Sequence, residues 1–93
     1  MRKSITVDFY SDSGHGWIKI SIDKLKKLGI IQQISKYSYI NNNNNVFLEE
    51  DRDAGILLRK LDEIGISYKF RHHYSNRSRI RNFNSFNPIY CGV

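Results

Sequence analysis

Two runs with a two-residue hydrophobic period flank a glycine-rich stretch near the start of the chain, and they constrain its fold most strongly. From Ile5 to Phe9 apolar residues alternate with polar ones, and the same alternation returns from Ile18 to Ile22. This period indicates strands with one buried face. The two runs therefore predict an antiparallel hairpin with a loop longer than the two-residue types.

The connecting stretch, Ser11-Asp12-Ser13-Gly14-His15-Gly16-Trp17, presents a carboxylate, an imidazole and an indole at the end of this hairpin. We predict that Asp12, His15 and Trp17 contact a partner. In the structural alternative, Asp12 caps local amides, the glycines take positive φ and Trp17 covers the core. In a third hypothesis, Asp12 and His15 form the centre of a small enzyme. Metal-binding motifs of fixed spacing do not occur in the sequence, and we predict neither a metal nor a cofactor.

Helical periodicity follows each of two capping signals. Ser21 is a suitable N-cap for a short helix that ends at Gly29, and Asp51 is a suitable N-cap for a helix over residues 52–64 that ends at Gly65. Strands are predicted at 37–40, 46–49 and 66–71, and the asparagines at 41–45 suit a hairpin loop.

These elements predict an α+β fold, a small antiparallel sheet of about five strands with two helices packed on one face, in the order β-β-α-β-β-α-β. A chain of 93 residues makes one domain, residues 1–93. Residues 74–93 lack a clear period and form either an extra edge strand or an extended arm. The lone Cys91 excludes an intramolecular disulfide, which indicates a cytoplasmic protein. The sequence has no long apolar run, so we predict that the protein does not bind membranes.

Positive charge is concentrated towards the C-terminus. Residues 66–93 hold five Lys or Arg and no acid, within a chain of net charge +6. We therefore predict a binding surface at Lys69, Arg71, Arg77, Arg79 and Arg81 that faces nucleic acid or an acidic protein. The alternative is pairing with the acidic residues of 49–53 in the same chain.

Aromatic residues accompany these charges. In the predicted strand 37–40, Tyr37 and Tyr39 share one face, where they could stack on unpaired bases. The alternative is that they belong to the core.

Four of these segments together resemble a family of small proteins carried by phages and plasmids. They are the stretch 11–17, Ile34-Ser35-Lys36-Tyr37-Ser38-Tyr39, Leu48-Glu49-Glu50-Asp51-Arg52-Asp53-Ala54 and Arg77-Ser78-Arg79-Ile80-Arg81. The family pattern has Pro where this chain has Ser13 and Cys where it has Arg52, so a function that needed that thiol would be missing here. The resemblance implies an accessory gene of a mobile element, a context in which small proteins often inhibit host defence, as anti-CRISPR proteins do.

Three functions follow as hypotheses. The first is a non-enzymatic inhibitor that binds a host defence complex, either protein or ribonucleoprotein. The second is a protein that binds RNA or single-stranded DNA, and the third is the small enzyme centred on Asp12 and His15. A homodimer is a further expectation, because a short sheet leaves an edge that needs cover.

Overall fold

The computed structural model describes residues 3–75, 80 and 83–86. Two helices and a short 3₁₀ turn, Ile31–Gln33, accompany six strands. In chain order the elements are β1 (Ser4–Ser11), β2 (Gly16–Ser21), α1 (Ile22–Leu28), β3 (Tyr39–Ile40), β4 (Asn45–Glu49), α2 (Ala54–Glu63), β5 (Ser67–Tyr74) and β6 (Asn84–Ser85). The predicted α+β class is confirmed.

The six strands form one mixed sheet in the order β5-β1-β2-β4-β3-β6. The β1–β2 hairpin is antiparallel as predicted, with Asp8 opposite Lys19 and Ser11 opposite Gly16. By contrast, β5 pairs with β1 in parallel along its whole length, from Ser67 beside Ser4 to Tyr74 beside Ser11. The prediction of a five-stranded antiparallel sheet is therefore wrong in strand number and in the direction of one pair. Parallel pairing is possible because helix α2 carries the chain back across the sheet before β5 begins.

Both helices contribute buried residues to one core, on the sheet face that we call the helix face. In α1 the buried residues are Ile22 and Leu25, and in α2 they are Ala54, Leu57 and Leu61. These side chains pack with strand residues such as Val7, Ile18, Val46 and Leu48. Packing of both helices on one face is thus confirmed. Burial of this stripe stabilises α1, which with two turns is too short to be stable alone.

Helix α1 begins and ends as the sequence predicts. The Ser21 hydroxyl accepts a hydrogen bond from the Lys24 N–H at 3.2 Å, and Gly29 ends the helix at φ 73°. Helix α2 starts later than predicted, after Asp53, and Asp51 does not cap it. The helix ends at Glu63, and Ile64, the residue after it, is 46% exposed.

A second group of apolar side chains covers part of the opposite side of the sheet, the open face. It consists of Trp17, Phe47 and Ile80, with Tyr10, Tyr39 and Phe83 packed against them, and we call it the outer aromatic cluster. Beyond Tyr74, the described residues lie against the sheet. Ile80 joins this cluster, Phe86 is fully buried in the main core, and Asn84–Ser85 forms the edge strand β6 beside β3.

The asparagine run forms the loop between β3 and β4, as predicted. Asn41 accepts hydrogen bonds through its side-chain oxygen from the N–H groups of Asn43 and Asn45, and Asn44 takes the left-handed conformation at φ 61°. Among the described residues, no helix is both long enough and apolar enough to cross a membrane.

Candidate functional site

The loop between β1 and β2 is shaped by Asp12. Its Oδ1 accepts hydrogen bonds from the N–H groups of Gly14 and His15, both at 2.9 Å, and its own N–H donates to the His15 carbonyl. Asp12 is only 9% exposed, whereas Ser13, Gly14 and His15 are exposed. The predicted local capping by Asp12 is confirmed, and the loop presents three residues to solvent.

The glycines of this loop do not take positive φ, so that part of the structural alternative is wrong. Gly16 is favoured for a different reason. A Cβ at this position would lie 2.7 Å from Cζ of Phe9 and 2.9 Å from Oε2 of Glu50. Close approach of these side chains, rather than backbone conformation, favours glycine here.

Trp17 belongs to the interior of the protein. Its exposed fraction is 1%, and it stacks on His15 at 6.0 Å and contacts the edge of Tyr39 at 6.4 Å between ring centroids. The alternative that Trp17 covers the core is confirmed. Of the three residues predicted to contact a partner through this loop, only His15 offers substantial surface.

Tyr37 and Tyr39 do not share a strand face, because β3 begins only at Tyr39. Tyr37 lies in the preceding turn, 51% exposed, with the Arg52 guanidinium 4.3 Å from its ring centroid. Tyr39 packs in the outer aromatic cluster. The prediction that the two rings share one strand face is therefore wrong, and for Tyr39 the structure agrees with the alternative of a packed side chain.

Two of the segments behind the phage-protein resemblance meet at Asp53, which is 2% exposed. Its Oδ2 accepts hydrogen bonds from the N–H of Ser35 at 3.0 Å, from the hydroxyl of Ser35 at 2.7 Å and from the hydroxyl of Ser38. The Ser38 oxygen in turn accepts from the N–H of Glu49 at 3.0 Å. Buried polar groups need such partners. These sequence patterns thus specify a structural network that holds the start of α2 against the preceding turn.

The acidic segment 49–53 is not paired with the basic strand β5 in the described structure. Glu49 accepts a hydrogen bond from the N–H of Asp51, and burial, followed by the charge of Asp51, raises the pKa of Glu49 above its ordinary value. Within the described part of the chain, no three His, Cys, Asp or Glu side chains converge to hold a metal ion.

Strand β5 is the outermost strand at one side of the sheet, and its outer edge has no partner strand among the described residues. The direction of its backbone groups follows from two hydrogen bonds: the N–H of Ser67 donates to the Lys3 carbonyl, and the N–H of Ser75 donates to the Ser11 carbonyl. Because backbone groups alternate along a strand, the odd-numbered residues direct their N–H and C=O towards β1. The even-numbered residues direct theirs outward: Tyr68, Phe70, His72 and Tyr74.

We call this outward row the β5 edge. Its side chains are unusually exposed for their type, with Phe70 at 39% and Tyr74 at 66%. Phe70 lies at the margin of the core, with its ring in an edge contact with Phe9 at 5.8 Å between ring centroids. His72 is also exposed. The exposure of this edge was not predicted from the sequence. After Phe70, however, charged and polar residues occupy both faces of the strand, which is typical of a strand with little structure packed on it.

The open face beside this edge carries the predicted basic residues Lys69 and Arg71, both exposed. Arg71 Nε lies 2.7 Å from Oδ1 of Asp8, and Nε2 of His73 lies 3.0 Å from the same oxygen. The Arg71 hydrogen bond, with that of His73, lowers the pKa of Asp8 from 3.8 to about 2, and Asp8 in turn raises the pKa of Arg71. One acid thus offsets part of the positive charge, and Lys69 has no acidic partner in the described structure.

The loop and the β5 edge adjoin each other. Ser11, the last residue of β1, pairs with Gly16 on one side and with Tyr74 on the other. The exposed residues of the loop therefore continue the surface formed by the end of β5. Arg77, Arg79 and Arg81, the remaining predicted binding residues, lie outside the described residues.

No protein-family model matches this chain, and searches of curated proteins and of solved structures find no significant match. The likeness to phage- and plasmid-borne proteins therefore stays a prediction.

Proposed function

We propose that this protein is a non-enzymatic binding protein of phage or mobile-element origin that acts in the cytoplasm of the bacterial host. Its target is a host defence complex, which it inhibits in the manner of anti-CRISPR proteins. The contact is made by the β5 edge, extended by the exposed tip of the loop at His15. The single observation that carries this proposal is the outer edge of β5, eight residues long, which no other strand of the described structure covers.

An open edge of this length supports strand addition as the mode of binding. Natural sheets normally cover or shorten such edges, since unpaired N–H and C=O groups accept a further strand. Recognition by strand addition takes its affinity from these backbone groups and its specificity from alternate side chains. On β5 the neighbouring side chains are aromatic or basic, which favours an extended segment that carries acidic residues.

The same charges count against self-association through this edge. Two copies of β5 would bring together the cations Lys69 and Arg71 of each chain, and β5 contains no acid to offset them. Like charges opposite each other destabilise a pair of strands. An acidic partner is therefore favoured over a homodimer.

A proline substitution tests the edge directly. His72→Pro removes an outward N–H while leaving the hydrogen bonds to β1, and proline is tolerated on edge strands. We expect His72→Pro to lose capture of the host partner, whereas the matched control His72→Ala, which keeps the backbone donor, retains it. Capture is measured by pull-down of the tagged full chain from host lysate, with circular dichroism to verify the fold. Equal capture by both variants, or no stoichiometric partner with the wild type, would refute the proposal.

Binding to RNA or single-stranded DNA is the second candidate, supported by the exposed rings of Phe70 and Tyr74 and by Lys69 and Arg71 on the open face of the same strand. Aromatic faces and cations in this combination bind unpaired bases and phosphates. Such binding weakens steeply with salt, and it depends on side chains rather than on the outward N–H. Fluorescence anisotropy with labelled oligonucleotides at low and moderate salt separates the two candidates. Binding lost in Lys69→Ala/Arg71→Ala but retained in His72→Pro would favour nucleic acid.

A further inference from the structure

The sheet is split along part of its length between β1 and β2. The two strands pair from Ser11–Gly16 as far as Asp8–Lys19. Beyond that point β1 continues beside β5 to Ser4, while β2 continues beside β4 to Ser21. Residues 4–7 of β1 therefore have no partner on their β2 side among the described residues, and a notch opens between the two halves of the sheet.

A cavity of about 560 Å³ occupies this notch and extends to the helices beneath it. This volume falls within the range of about 300–1,000 Å³ that is usual for small-molecule sites. Most of its inner surface is aliphatic, from both strands and both helices: Ile5, Val7, Ile20, Leu28, Leu57 and Leu61.

Four lysines are among the residues that line the cavity: Lys3, Lys19, Lys24 and Lys27. None of these lysines forms an ion pair with another described residue. The one acid that lines the cavity, Asp8, is already paired with Arg71 and His73. The cavity thus combines an apolar interior with uncompensated positive charge, and its complement is an apolar molecule with a negative head.

The described lining contains no aromatic side chain. A nucleobase would find no ring to stack on, whereas a flexible hydrocarbon chain suits aliphatic walls. We propose that the notch binds a single-chain amphiphile with an anionic head group, such as a fatty acid or an alkyl phosphate. The hydrocarbon chain lies against Ile5, Ile20 and Leu28, and the head group lies among the lysines. This site is separate from the β5 edge and does not depend on the function proposed for that edge.

Calorimetric titration of the full chain tests the site with decanoate, decyl phosphate, decanol and acetate, each below its micelle concentration. We expect one saturable site for decanoate or decyl phosphate, and the tighter of the two identifies the head group as carboxylate or phosphate. Decanol should bind more weakly because it lacks the charge, and acetate should not bind because it lacks the chain. Absence of saturable binding by both anionic amphiphiles, or decanol binding as tightly as either, would overturn the proposal.

Two charge-matched variants locate the site. Lys24→Gln/Lys27→Gln removes two cavity lysines, while Lys26→Gln/Lys36→Gln removes two exposed lysines that do not line the cavity. Because the first pair removes charge beside the head group, we expect it to weaken binding by about tenfold, and we expect the second pair to leave binding unchanged. Equal loss in both would indicate nonspecific attraction. In the wild type, decanoate must also shift the methyl NMR signals of Ile5, Ile20 and Leu28, which line the cavity and are only partly buried. Shifts confined to methyl groups outside the cavity would equally refute the site.

Discussion

Asp51 and Asp53 lie two residues apart, yet the structure predicts opposite consequences when each is replaced by alanine. Asp53 is buried and accepts three hydrogen bonds from Ser35 and Ser38. Asp51 is exposed, and only its backbone N–H is bonded, to the Glu49 carboxylate. If Asp51 capped α2, as the sequence pattern favours, Asp51→Ala would destabilise the protein more than Asp53→Ala.

The magnitude follows from the donors that Asp53→Ala leaves without an acceptor. An unsatisfied buried donor costs about 1–3 kcal/mol, and Asp53→Ala removes the acceptor of three donors at once. Because Ser35 is partly exposed and water can reach it, we expect Asp53→Ala to lower the free energy of unfolding by about 3–4 kcal/mol. Asp53→Asn keeps the volume and one acceptor oxygen, and should lower it by about 1–2 kcal/mol. Asp51→Ala should stay within about 0.5 kcal/mol of the wild type.

The assay is urea unfolding followed by the fluorescence of Trp17, which is the only tryptophan and is buried in the folded state. Equal m-values across the four proteins will show that the midpoints report stability alone. If Asp53→Ala does not fold, the comparison of Asp53→Asn with Asp51→Ala remains decisive. A loss at Asp51 that equals or exceeds the loss at Asp53 would refute the assigned network.

Three further predictions concern the β1–β2 hairpin. Gly16→Ala should lower the free energy of unfolding by about 1–3 kcal/mol, because its Cβ would meet Phe9 and Glu50. The control Gly14→Ala, in the exposed loop, should lower it by less. The midpoints of urea unfolding of the two variants test this difference. Asp8 has its pKa lowered to about 2, so its contribution is present above about pH 4 and is lost as pH falls through 2. Asp8→Asn should therefore be less stable than the wild type by up to about 1 kcal/mol at pH 5 and equally stable at pH 1.5. A difference in unfolding free energy that does not change with pH would contradict the pairing with Arg71. Asp12→Ala should increase amide hydrogen exchange at Gly14 and His15 without changing exchange in α2, and unchanged exchange in the loop would contradict its capping role.

Local patterns in the sequence predicted the elements whose ends are set by neighbouring residues. Ser21, Leu25 and Gly29 each act within one or two helical turns, and α1 lies where they place it. The asparagine loop was also predictable, because asparagine bonds its own backbone. Alternation from Ile66 onward predicted a strand, but the same period occurs in parallel and antiparallel strands. It therefore could not show that β5 joins β1 in parallel at the edge of the sheet.

The candidate site was less predictable because it depends on contacts between distant segments. Asp53 lies 18 positions from Ser35, and no local rule favours that contact over a cap by Asp51. Cover of the core by Trp17 was one alternative from the sequence, but Ile80 and Phe83, which pack with Trp17, come from a distant part of the chain. Lys69 and Arg71 were predicted as surface residues, and they lie on the open face.

The parallel pairing of β1 with β5 also has a consequence for how the chain folds. Residues 4–11 must meet residues 67–74, so this contact closes a loop that spans most of the chain, and pairings of such long range slow folding. During synthesis the β1–β2 hairpin leaves the ribosome before β5 does. The outer side of β1 therefore stays unpaired until β5 has been synthesised. A chain truncated after residue 66 would leave that side of β1 permanently open, and we expect it to aggregate rather than to fold.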